Sequence, residues 1–203
     1  MIAIVDYGVG NLFSLSSSLC AIGAQTVVTG DPDRILCADH IVLPGVGAFG
    51  DAAAKLRQTG LDQVILQAAK QGKPLLGICL GMQLLFERSY EYGVHTGLGL
   101  IPGEVVPMQG KIPSGLCIPH IGWNALHLKP DANGLFRYLR DGEYVYFVHS
   151  YFAQNCAPYV TAETEYGITM TAAAACGRVY GCQFHPEKSG ETGLRILRAF
   201  CEI

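Results

Sequence analysis

The sequence predicts an α/β fold with a central mixed, mostly parallel sheet, helices on both faces and an antiparallel extension. Three observations carry that prediction. Up to about residue 90, short apolar runs alternate with helical stretches, the pattern of repeated β-α-β units. Beyond Tyr90 the texture changes to Gly, Pro and short β-branched runs, which read as strands joined by turns. Near the end, Leu194, Leu197 and Phe200 recur at helical spacing and predict a closing helix. No internal repeat and no Ser-, Gly- or Pro-rich linker divides the 203 residues, so one domain over residues 1–203 is expected.

The elements follow in order. Residues 2–6 form a first strand, and Tyr7-Gly8-Val9-Gly10-Asn11 a turn. A helix runs from Leu12 to about Ile22, with Asn11 as its N-cap and Gly23 as its stop. Residues 25–29 and 40–43 are the next strands. Asp51 is expected to cap an alanine-rich helix that breaks at Gly60 and resumes over 61–71. Gly72 and Pro74 punctuate before a fourth strand, 75–78, a sharp turn at Cys79, and a helix over 82–87. The later strands are expected at 103–107, 117–128, 143–148, 159–164, 167–172 and 178–184, largely antiparallel.

Half of the chain is apolar and 15% is charged, enough for a sizeable core. Net charge is −3 with no block of like charges, which argues against nucleic acid or an anionic membrane surface as partner. No apolar stretch approaches the roughly 18 residues of a membrane helix. The N-terminus reads as a first strand, not a signal peptide, and a cytoplasmic location is expected. The eight cysteines show no C-x-x-C and no metal-ligand spacing. They are expected as free thiols in a reducing compartment, several of them buried, Cys20 and Cys117 among these. No metal site and no cofactor is expected. Gly8-Val9-Gly10 with Asp31 faintly suggests a dinucleotide fingerprint, but Phe13 stands where a third glycine is needed.

The chemistry centres on Gly77-Ile78-Cys79-Leu80-Gly81. Two glycines flank a thiol at a strand-to-helix junction, the spacing of a nucleophile elbow with sulfur in place of a hydroxyl. The helix start favours a thiolate there. A thiol nucleophile needs a base, and the base an orienting group. His185, in Gln183-Phe184-His185-Pro186-Glu187, ends a strand. Glu187 is placed to orient it, Pro186 keeping the backbone between them extended. Acyl transfer also needs donors for an oxyanion. The Leu80 amide is one. Val46 and Gly47, in the glycine-rich loop Leu43-Pro44-Gly45-Val46-Gly47, supply the other. His149-Ser150-Tyr151 ends a strand and offers polar contacts to a small substrate.

These four segments, with Met82-Gln83, resemble the class I glutamine amidotransferases in order and spacing across essentially the whole chain. Asp6-Tyr7-Gly8-Val9-Gly10-Asn11-Leu12, Pro119-His120-Ile121-Gly122-Trp123-Asn124 and Lys188 further resemble the branch that serves as glutaminase subunit of imidazole glycerol phosphate synthase. The chain departs from the family pattern at Cys117-Ile118 and Phe152. The resemblance implies a flavodoxin-like domain that hydrolyses L-glutamine to glutamate and ammonia through Cys79, His185 and Glu187 and a thioester. It implies that Gly47, Gln83, Ser150 and Tyr151 hold the substrate. Asn11, Trp123, Asn124, Tyr146 and Lys188 would face a separate cyclase subunit, a (β/α)8 barrel, in a heterodimer serving histidine biosynthesis.

Two alternatives stay open: the glutaminase subunit of another amidotransferase, and a catalytically silent regulatory subunit on the same scaffold. An intracellular cysteine peptidase would place His after the nucleophile, where this chain has Leu80.

Overall fold

The structure is a computed structural model in which residues 1–130 and 134–203 are described. Its first half contains β1 (Ile2–Val5), α1 (Leu12–Ala21), β2 (Thr26–Thr29), α2 (Pro32–Cys37), β3 (His40–Leu43), α3 (Phe49–Thr59), α4 (Leu61–Lys70), β4 (Leu75–Ile78) and α5 (Leu80–Leu85). There follow β5 (Phe86–Ser89), β6 (His95–Thr96), β7 (Ile101–Pro107), β8 (His120–Ala125), β9 (His127–Leu128), β10 (Tyr144–His149), β11 (Tyr151–Gln154), β12 (Val160–Glu165), β13 (Thr169–Cys176), β14 (Val179–Cys182) and α6 (Gly190–Cys201).

The main sheet has eight strands in the order β2-β1-β3-β4-β14-β13-β12-β9. The first five run parallel, and β13, β12 and β9 continue antiparallel. The inner parallel strands β1, β3, β4 and β14 are buried on both faces, while the edge strand β2 is only partly covered, and the period of two deals side chains alternately into two cores. Ala3, Val5, Ile41 and Leu43 join Phe49, Leu56 and Ile65 of α3 and α4 on one side. Ile2, Ile4, Val42 and Leu76 join Leu15 and Leu19 of α1 and Leu197 and Phe200 of α6 on the other. Each large side chain so buried contributes about 1.5–3 kcal/mol. A four-stranded sheet, β11-β7-β5-β6, and the β10-β8 pair complete the fold. Among the described residues no helix is long and apolar enough to cross a membrane.

Asn11 caps α1 as expected, accepting from the Ser14 amide at 3.4 Å. The elements differ from expectation in three places. The helix α2 was not anticipated, although Asp31 caps it and Pro32 occupies its first turn; that is the role of the Asp31 carboxylate. α3 begins at Phe49 rather than at a cap on Asp51, because the Glu91 carboxylate, 42 residues away, accepts the Phe49 amide at 2.5 Å. α5 ends at Leu85, since buried Phe86 turns extended and pairs with Ile101 in a sheet. β14 lies parallel to β4 although it is antiparallel to β13. All eight cysteines are free, but Cys20 and Cys117 are exposed; Cys79, Cys156 and Cys182 are the buried ones.

Candidate active site

The site is built where β4 and β14 end side by side. Their parallel register pairs Ile78 with Cys182, and the next residue on each strand carries a polar side chain: Cys79 and Gln183. In an open α/β sheet, ligands collect at such carboxyl ends.

Cys79 has φ 54° and ψ −111°, an unusual conformation for a non-glycine residue. The turn is held from every side. The Cys79 amide donates to the Cys182 carbonyl at 2.8 Å, and its carbonyl accepts from the Gln83 amide at 3.1 Å. A Cβ at Gly81 would lie 1.8 Å from the Leu43 carbonyl oxygen, and one at Gly77 2.7 Å from the Gly81 carbonyl oxygen. Both flanking glycines are therefore demanded by backbone passing against backbone. Cys79 is 8% exposed. Gln183 Nε2 donates to its sulfur at 3.7 Å, and the thiol has the Val148 carbonyl at 3.9 Å.

His185 follows β14 by three residues and is 2% exposed. Its Nδ1 lies 2.7 Å from Glu187 Oε1. The geometry differs from the extended segment expected: Pro186–Lys188 is a 3-10 turn, and the turn brings the carboxylate back under the ring. Ser189 fixes that turn, its hydroxyl donating to the His185 carbonyl at 2.6 Å and accepting from the Tyr146 amide at 3.0 Å. Burial disfavours the charged imidazole, but hydrogen bonding to Cys79 and Glu187 outweighs it and pushes His185 up to about 9. The second Glu187 oxygen, Oε2, is buried without a partner.

A cavity of about 590 Å³ opens in front of this pair. Val46, Gly47, Cys79, Leu80, Gln83, Ser150, Tyr151, His185 and Lys188 all line it, so residues from four separate chain segments meet there. Leu80 is the first residue of α5, where an amide has no intrahelical carbonyl to bind. Gly47 has φ 94°. Gln83 is 6% exposed, and its Nε2 donates to Gln183 Oε1 at 2.9 Å and to the Tyr151 carbonyl at 3.3 Å. Glu187 stands behind His185 rather than in the wall.

The residues assigned to a partner face separate. Trp123 is 54% exposed and meets Tyr146 edge-on, with ring centroids 6.1 Å apart. The Lys188 ammonium lies 6.0 Å from the Tyr146 ring centroid. Asn124 alternates to the opposite side of β8, where its amide donates to the Glu165 carbonyl at 2.8 Å. Asn11 spends its side chain on the α1 cap.

Three polar residues near the cavity, Gln183, Glu91 and His120, were given no role of their own from sequence. Gln183 stood inside the quoted segment, yet nothing in one sequence says that its amide reaches the sulfur. Glu91 and His149 line the cavity and His120 bonds to His149. Glu91 carries no local motif, since its contact spans 42 residues. Burial raises its carboxyl above the ordinary range, with the Phe49 amide opposing. Burial, followed by the neighbouring Cys79, likewise raises the Tyr7 phenol, whose hydroxyl donates to the Pro44 carbonyl at 2.9 Å. Among the described residues no cluster of His, Cys, Asp and Glu is arranged to hold a metal ion.

The family model for glutamine amidotransferase class-I matches residues 3–203. The chain is 52% identical to imidazole glycerol phosphate synthase subunit HisH of Methanothermobacter thermautotrophicus, over 100% of this chain and 98% of that one. It is 47% identical to the subunit of the same name from Wolinella succinogenes, over 100% of both. Its fold is similar to that of PurLQS from Thermotoga maritima, with a TM-score of 0.78 and 22% identity over 99% and 97% of the two chains. A structure described as a glutamine amidotransferase gives a TM-score of 0.76 at 18% identity, over 100% and 98%.

Proposed function

This chain belongs to the class-I glutamine amidotransferases, and on that premise we propose that residues 1–203 form one domain acting as the glutaminase subunit of an imidazole glycerol phosphate synthase in histidine biosynthesis. The observation that carries the catalytic reading is the β4/β14 register, which sets the Cys79 turn beside His185 and its 2.7 Å contact to Glu187.

Cys79 Sγ attacks the side-chain carboxamide carbon of L-glutamine while His185 takes the thiol proton. Glu187, hydrogen-bonded to Nδ1, favours the proton on His185 until it passes to the departing ammonia. The tetrahedral oxygen is received by the Leu80 amide and by an amide of the Val46-Gly47 segment. Water, deprotonated by His185, then opens the thioester and releases glutamate. Glu187 fixes the ring and balances its charge. Gly47, Gln83, Ser150 and Tyr151 hold the amino-acid end of glutamine. Glu91, the one carboxylate in the cavity wall among the described residues, faces the substrate ammonium.

Ammonia passes to a cyclase subunit, a (β/α)8 barrel in a cytoplasmic heterodimer. Trp123, Tyr146 and Lys188 support this, being grouped at the surface, with Lys188 also reaching the cavity. Glutaminase activity is expected to be low for the chain alone and to rise with the cyclase and its ligand. Full turnover by the isolated chain would refute that. Cys79→Ala is expected to cost a thousandfold or more in glutamine-dependent synthesis, on the order of losing a covalent nucleophile, with ammonia-dependent synthesis by the complex retained. Loss of both would mean that Cys79 is structural.

A further inference from the structure

Two histidines outside the proposed triad are buried against each other. His120 of β8 and His149 of β10 are direct cross-strand partners, 3% and 6% exposed. His120 Nδ1 lies 3.1 Å from His149 Nε2, and His149 Nδ1 lies 2.8 Å from the Tyr151 carbonyl oxygen. On its far side, His120 Nε2 is 3.4 Å from the Asn124 amide nitrogen. His120 is sandwiched between Phe147 and Tyr166, at centroid distances of 4.9 and 4.1 Å.

The contacts fix both tautomers. A carbonyl only accepts, so His149 carries its proton on Nδ1 and presents a bare Nε2. That nitrogen needs a donor, so His120 also carries its proton on Nδ1. Its bare Nε2 in turn receives the Asn124 amide. Every member has one donor and one acceptor role, which holds only while both rings are neutral. Burial enforces this by pushing each ring down to about 4.

We infer that His120 and His149 are positioning residues: a directional pair of neutral imidazoles that sets Ser150 and Tyr151 for glutamine and ties them to β8, the strand carrying Trp123. This rests on the reading of the cavity as the glutamine site. The Tyr151 carbonyl that ends the chain also accepts from Gln83, which bonds Gln183, which bonds the Cys79 sulfur. The pair thus braces one end of a hydrogen-bonded network whose other end is the nucleophile. His149 lines the cavity; His120 acts only through it.

The test uses the complex with its cyclase. Cys79-dependent glutamine turnover by the wild-type complex first secures the glutamine reading; its absence would defeat that reading, not this one. His120→Phe then keeps the stack between Phe147 and Tyr166 and removes the donor. His120→Asn keeps a donor near the Nδ1 position and loses the stack. H120F is expected to raise KM for glutamine roughly tenfold, the scale of one buried hydrogen bond with an acceptor left unpaired, with kcat changed by less than about twofold. H120N is expected to stay close to wild-type KM. Damage in H120N equal to or greater than that in H120F, or an unchanged KM in both, would overturn the proposal. Imidazole ¹⁵N resonances of the wild-type complex give an answer even if neither variant folds: Nδ1–H on both rings supports the pair, and Nε2–H on either refutes it.

Discussion

At Gly81 an added Cβ would lie 1.8 Å from the Leu43 carbonyl oxygen; at Gly47, across the same cavity, it would meet nothing within 4 Å. The nucleophile turn is enclosed by β3, β14 and its own helix, and its strained Cys79 backbone persists because those neighbours leave no alternative. The Gly47 loop has open space, a positive φ, and next to it Val46 at 43% exposure. One half of the site is set by folding, and the other half is free to be set afterwards. Under the function proposed above, where ammonia should not be released before its acceptor is present, that division would be useful: the proposed attacking atom is always in place, and the proposed oxyanion donor is the adjustable part.

The largest effect should come from breaking the fixed half. Gly81→Ala forces backbone off backbone and is expected to cost roughly 3 kcal/mol or more. Thermal or denaturant unfolding measures it, and a G81A protein of wild-type stability would remove the idea of an enclosed turn. Next is Glu187→Gln, which keeps the shape and removes the charge under His185. Glutamine turnover should fall at least about a hundredfold, as for other orienting carboxylates. The same variant reads out in stability. The folded value of His185, about 9, is above the unfolded value near 6.5, so its contribution is complete below about pH 6.5 and is lost as pH rises through about 9. E187Q should flatten that alkaline decline; an unchanged slope would mean that Glu187 does not hold the charge. The smallest effect belongs to the open half. Gly47→Ala meets no atom but must adopt φ 94°, a cost of about 1–2 kcal/mol. It should leave the fold intact and alter glutaminase activation by the partner. A G47A enzyme with normal activation would show that the loop is as rigid as the turn.

The same contrast explains what could be read from the sequence. The elbow was legible because backbone crowding demands glycine at two fixed spacings, and Gly77 and Gly81 are both in contact with backbone. β1, β3 and β4 were legible because both of their faces are buried and their runs are largely apolar; the edge strand β2 was legible from its β-branched residues instead. α2 should have been legible from Asp31-Pro32, but the dinucleotide pattern competed for the same aspartate. The pairing of His185 with Glu187 was found although the route was not: a 3-10 turn does what an extended segment was expected to do. What stayed hidden was non-local. Glu91 on the Phe49 amide, Gln183 on the Cys79 sulfur and His120 on His149 join residues 42, 104 and 29 positions apart, and no spacing rule reaches that far. Nor could composition place Cys20 and Cys117 outside, since a cysteine in an apolar run carries no sign of which face it takes.

The insertion of β14 between β4 and β13 also bears on when the enzyme comes into being. The last parallel strand enters the sheet from about a hundred residues downstream of its neighbour, a closure with a high entropic cost that folds late. During synthesis the thiol turn emerges long before the strand that carries its base. On the proposed mechanism a growing chain therefore carries a nucleophile without its base, and ammonia production waits until β14 and His185 have been made and have joined the sheet.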